Sequence, residues 1–278
     1  MSLLQNILQI LDARMETPGL YGWFHLLSLA LTVLFTVALC RWGANRSREQ
    51  IRRMVLAIAL VVMVLEIYKQ INYSFSYRDS ISFDYQWYAF PFQFCSTPMY
   101  VGLLAGSTRE GRIHKAASAY LATYAVFAGL CVMFYPASVF ISTIGINIQT
   151  MICHGTMISV GVCLLYTGYV KLEHKTILNA IAVFAVCVLL AVVMNEIARL
   201  AGLLETETFN MFFISPYCEP SLPVYSLVQA VVPFPLCLLI YVGAFSLAAY
   251  LVLLAAMGIQ VLGCRAHKQS HHAHSAAH

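Results

Sequence analysis

Apolar residues in this chain gather into stretches of about 17 to 25 positions, the length that carries a helix across a hydrocarbon core of about 30 Å. Hydropathy places them near 23–40, 54–71, 89–106, 116–134, 147–170, 178–199 and 224–262. The short alternating strands of a transmembrane barrel are missing, and a helix is the other structure that satisfies its own backbone hydrogen bonds in lipid. The last stretch is too long for one span, and Pro233 with Pro235 predicts a break into a short outer piece and a span from about 236. The chain therefore reads as an all-α integral membrane protein of seven transmembrane helices. Residues 1–262 form a single transmembrane domain, and 263–278 form a His-rich tail expected to be cytoplasmic and disordered.

Composition removes the soluble alternatives. Of 278 residues, 60% are apolar and 10% charged, against about 45–50% and about 25% in soluble chains. Met1 to Pro18 carries Gln5, Asp12, Arg14 and Glu16 and lacks a basic start followed by an apolar stretch, so no cleavable signal is expected. Basic residues in short loops set the orientation. One side holds Arg41, Arg46, Arg48, Arg52, Arg53, Arg109, Arg112, Lys115, Lys171, Lys175, Arg265 and Lys268; the other holds Arg14, Arg78 and Arg199. Twelve against three predicts an outer N-terminus and a cytoplasmic C-terminus in a bacterial plasma membrane. The net charge of +4 follows from these loops and gives no reason to invoke nucleic acid. Nine scattered cysteines without a CxxC pair suggest no metal centre, and no cofactor is expected.

Polar side chains inside spans are expensive and mark functional candidates. They are Glu66, Lys69 and Gln70 in the second span, Gln93 and Cys95 in the third, Gln149 and His154 in the fifth, and Asn195, Glu196 and Arg199 in the sixth. With the expected topology all fall in the outer half of the membrane. Cys95 and His154 lie roughly 9 and 10 Å past the starts of their spans, so a thiol and an imidazole share a depth. A neighbouring imidazole turns a thiol into a nucleophile, and amides at that level can donate to an oxyanion. The bland readings are a structural ion pair between Glu66 and Lys69 or Arg199, interhelical amide contacts, and an inert buried thiol. Gly102 and Gly106 read as a helix-packing pair.

Several segments resemble the YwaF-like integral membrane proteins: Phe90-Pro91-Phe92-Gln93-Phe94-Cys95-Ser96 opening the third span, Gln149 with Cys153-His154-Gly155, Asn195, and Phe209-Asn210-Met211-Phe212-Phe213 with Pro216. That family looks related to eukaryotic transmembrane lipid acyltransferases and, more distantly, to membrane hydrolases of fatty-acid esters. The resemblance implies acyl chemistry with Cys95 as nucleophile and His154 as base. It departs from the family at Gln93, where a His is usual, and an amide does not exchange protons as a His does. Gln93, Gln149, Asn195 and Asn210 are the expected substrate or oxyanion contacts, with Glu66, Lys69, Glu196 and Arg199 as supporting charges. The expected partner is a membrane phospholipid or lysophospholipid. The competing expectation is a transporter or binding protein with an outer polar vestibule, although no inverted repeat is evident.

Overall fold

The computed structural model describes residues 2–77, 80–205, 208–219 and 223–275, the side chains of 223–224 and 263–275 excepted. Arg78 of the sparse basic set thus lies outside the described residues. The chain opens with α1 (Leu3–Leu11), started by a capping box in which Ser2 and Gln5 bond each other's backbone. Leu8 is buried while Leu3, Ile7 and Ile10 are exposed, the habit of a helix lying in the membrane interface. Then follow α2 (Trp23–Gly43), α3 (Arg48–Ser74), a two-stranded ribbon of β1 (Phe75–Ser76) and β2 (Ser82–Phe83), α4 (Thr97–Ser107) and α5 (Arg112–Tyr120). One π-helical turn, Leu121–Ala125, joins α5 to α6 (Val126–Phe134). The series ends with α7 (Ile144–Tyr166), α8 (Lys175–Leu200), α9 (Pro223–Gln229) and α10 (Phe234–Ser275), the last taking in much of the His-rich tail.

Six helices among the described residues are long and apolar enough to cross a membrane: 23–43, 48–74, 112–134, 144–166, 175–200 and 234–262. They coincide with six of the seven apolar stretches. The break expected at Pro233 falls between α9 and α10. The third stretch behaves differently. Its helix begins at Thr97, eight residues later than hydropathy placed the start, and spans about 16 Å over 11 residues. Pro91 lacks an N–H to give an earlier turn, and Pro98 is suited to the first helical turn. Residues 90–96 descend without regular structure. The segment still lies antiparallel along α3: Gln70 Nε2 donates to Ala89 O at 2.8 Å, Gly102 sits over Ala59, Gly106 sits over Leu56, and Arg52 donates to Gly106 O at 2.7 Å. From Gln70 to Arg52 is about 27 Å of α3. Gly102 and Gly106 are thus a packing pair, since a Cβ on Gly106 would come within 2.5 Å of Leu56 Cβ.

The helix through 112–134 and α7 form the interior, and the remaining long helices ring them with apolar faces turned outward. Three basic loops meet at one end. Arg48 bonds Glu110 and Tyr169 O and lies 4.2 Å from the Tyr169 ring centroid, tying the loops after α2, α4 and α7 together. Arg48 holds the Glu110 carboxyl below the usual carboxylate range. At the opposite end Arg14 bridges to Thr143, and Trp87 packs on Phe209. Three of the basic loops are therefore gathered at one end, and the side chains of Arg265 and Lys268 lie outside the described residues.

Candidate functional site

His154 stands on α7 among polar neighbours. Because α7 starts at Ile144, three residues before hydropathy placed it, His154 lies about 15 Å along the helix, near its middle. Its Nδ1 is 2.7 Å from Thr150 O. A carbonyl only accepts, so Nδ1 carries the proton and Nε2 presents its lone pair. That Nε2 is buried without a partner. The two other fully buried histidines differ. His25 receives Tyr21 N–H at Nδ1 and donates from Nε2 to Met133 O; His114 donates from Nδ1 to Ala105 O and receives Tyr169 O–H at Nε2. An open ring nitrogen is thus peculiar to His154 among these three, and buried polar atoms are rarely left so.

Cys95 lies in the turn that starts α4, where Ser96 N–H and Thr97 N–H both bond Gln93 O. Cys95 lines a cavity of about 40 Å³ with Cys153 and Thr156 of α7, Ile58 and Ala59 of α3, and Leu121 of the π turn, enough for a water-sized group. Gly161 holds α7 against that π turn, since a Cβ there would meet Leu121 O at 2.5 Å. No hydrogen bond joins Cys95 to His154 among the described residues, and His154 itself is not in the cavity wall; its chain neighbour Cys153 is. Val62 of α3, one turn before Glu66, and Cys153, the chain neighbour of His154, line the same cavity as Cys95. One buried neighbourhood therefore holds Glu66, Lys69, Cys95, Cys153 and His154. Cys153 entered the sequence reading only as part of the Cys153-His154-Gly155 patch and not as a site residue, because an isolated buried thiol gives no signal of its own in one dimension.

The four amides divide. Gln93 donates to Asn210 O and accepts from Phe212 N–H, both at 2.9 Å. Asn195 accepts from Met211 N–H at 2.7 Å and donates to Met211 O at 3.1 Å. Asn210 accepts from Ser215 N–H at 2.9 Å. These three act as a clamp on the loop 209–215, which enters the bundle with Met211, Phe212 and Ile214 fully buried. The loop needs a clamp, because Phe212 and Phe213 both have φ near +60°, a conformation that costs of order 1–3 kcal/mol each for such residues. Phe212 then packs against Phe92, Phe94 and Phe184. Gln149 is different: its Nε2 points at Cys153 Sγ, 3.5 Å away.

The two ion pairs also separate. Lys69 Nζ is 2.8 Å from Glu66 Oε1, and Gln70 donates to the same oxygen, in a largely buried setting beside the thiols. Glu196 pairs with Arg199 and accepts from Tyr217 O–H at the half-exposed rim of the clamp. Glu66 and Arg199 form no pair with each other.

The fold defines a multi-pass helical membrane protein with buried polar side chains inside the bundle. Over residues 20–255 the chain matches the model of the TMEM164 family, and it belongs to that family. No curated relative and no solved structure matches it significantly.

Proposed function

We propose that this protein is a membrane-embedded, thiol-dependent acyltransferase or hydrolase of lipid acyl esters, with Cys95 as nucleophile and His154 as base. The observation that carries the reading is the open, lone-pair-bearing Nε2 of His154, buried in the same neighbourhood as a helix-start thiol. Family membership fixes the membrane class, and the likeness of the Cys95, His154, Asn195 and 209–213 patches to the YwaF-like proteins agrees with acyl chemistry. Seven crossings, with the 89–107 segment as the third and the N-terminus outside, account for the basic loops gathered at one end.

In the reaction, His154 Nε2 takes the Cys95 proton, directly or through a group in the small cavity. The sulfur then forms a bond to the acyl carbonyl carbon, the ester C–O bond breaks, and the proton passes to the leaving alkoxide. The thioester is relieved in reverse by a lysophospholipid hydroxyl or by water. Gln93, Asn195 and Asn210 hold the loop that walls the centre, which leaves Gln149 as the amide nearest the thiols for an oxyanion. Lys69 supplies positive charge to the thiolate, with Glu66 holding it in place.

The test is acyl trapping in nanodiscs. With phospholipid present, the Cys95 peptide gains an acyl mass that neutral hydroxylamine removes, and Cys95→Ala abolishes it. Acyl exchange and hydrolysis unchanged in Cys95→Ala and His154→Ala, with solute flux dependent on Glu66, would replace this reading by the transport one.

A further inference from the structure

α2 and α3 follow one another through a short loop at the basic end, yet scarcely touch along their lengths; α2 packs on α7, and α3 packs chiefly on α4 and to a lesser extent on α7. Between them a crevice of about 930 Å³ opens to the outside of the bundle, walled by Leu31 and Phe35 of α2, Ile58 and Val61 of α3, and floored by Ile148 and Ile152 of α7. That volume lies within the roughly 300–1,000 Å³ of small-molecule sites. Along α2 its lining runs from Trp23 to Phe35, about 18 Å. No charged residue lines it, and the hydroxyls of Ser28 and Thr156 are bonded to carbonyls of their own helices. Gly155 keeps the inner end tight, because a Cβ there would meet Thr32 Oγ1 at 2.6 Å. Two residues, Ile58 and Thr156, line both this crevice and the cavity beside Cys95.

From this adjacency we infer that the crevice between α2 and α3 seats the acyl chain that reacts at Cys95, carbonyl end at Ile58 and Thr156 and terminal methyl toward Trp23. The inference rests on the acyl-transfer reading and adds the lateral route by which the chain reaches the thiol. An apolar, elongated, bilayer-facing trough without a charge suits a hydrocarbon chain, whereas a headgroup or polar solute would lose its hydrogen bonds there. The position of the opening sets the chain direction. A bystander phospholipid in its ordinary orientation would instead keep its ester near Trp23 and its methyl end at Ile58.

Two photoreactive phospholipids separate these cases, one with a diazirine beside the acyl carbonyl and one with it near the terminal methyl. In nanodiscs with full-length protein, the first probe labels the peptides around Ile58 and Thr156 and the second those around Trp23 and Leu27. The order persists in Cys95→Ala, since seating precedes chemistry. Ile152→Trp and Leu31→Trp, two half-exposed positions, each lower crevice labelling several-fold while leaving labelling of the outward-facing Leu189 on α8 unchanged. The reversed order marks a bystander lipid and overturns the inference, as does crevice labelling no greater than at Leu189. A thioester on Cys95 that forms unimpeded in both tryptophan variants sinks the crevice and leaves the acyl-transfer reading standing. Correct labelling order with no thioester in the unsubstituted protein does the opposite.

Discussion

Two polar regions lie within this apolar bundle and differ in how completely their groups are paired. At the loop clamp, both ends of the Gln93 and Asn195 amides are bonded to the backbone of Asn210, Met211 and Phe212. At the thiol centre, His154 Nε2 has no partner within the described residues and Cys95 borders a cavity of about 40 Å³. Saturated polar networks rigidify a fold, and unsaturated groups are available to a reactant. Under the acyl-transfer proposal the contrast separates stability on one side from chemistry on the other, and substitutions on each side test it.

The largest effect is expected at the centre. His154→Ala should slow Cys95 acylation by roughly 10²- to 10⁴-fold, the contribution of a general base, with its unfolding midpoint near that of the unsubstituted protein. A comparable loss of folding would move His154 to the structural side of the contrast. Next comes the buried ion pair. Glu66→Leu leaves Lys69 charged and unpaired and should destabilise by about 3–5 kcal/mol, while Glu66→Leu with Lys69→Leu should recover most of it. Chemical denaturation in mixed micelles reads both, and additive losses in the double variant would contradict pairing as the cause.

Gln93→Leu is the mirror experiment. It strands the Phe212 N–H, while the Asn210 carbonyl still accepts from Phe213 N–H at 3.3 Å, so the stability loss should be about 1–3 kcal/mol. Protease cleavage within 209–215 should rise in step. Activity per folded molecule should fall far less than in His154→Ala; a larger fall would make Gln93 part of the chemistry. Smallest is Glu196→Gln at the half-exposed rim, where solvent screens the Arg199 pair. Its unfolding midpoint and activity should match the unsubstituted protein, and a clear drop in either would extend the clamp to this rim.

The positions of six long helices could be read in one dimension because burial in lipid demands long, uniformly apolar segments whatever their neighbours. The break at Pro233 was readable for a local reason, the missing N–H and fixed φ of proline. The third segment was not, since hydropathy registers that residues 89–96 are apolar but not that their backbone descends irregularly beside α3, with Gln70 satisfying Ala89 O. Lipid-exposed backbone of that kind is excluded, and only protein contacts make it permissible.

The candidate site shows the same division. Sequence alone determined which residues are chemically able to act, since Cys95, His154, Gln93 and Asn195 stand out as polar groups in apolar surroundings. Tertiary structure decided what each is bonded to. It turned Gln93 and Asn195 into backbone clamps for a left-handed Phe212–Phe213 turn, placed Cys153 on the same cavity wall as Cys95, and left one nitrogen of His154 open while filling both on His25 and His114. The physical reason is range: hydropathy and backbone propensity are properties of a residue and its chain neighbours, whereas a hydrogen-bond partner is fixed by groups up to a hundred or more positions away, as Gln93 and Phe212 are at a separation of 119.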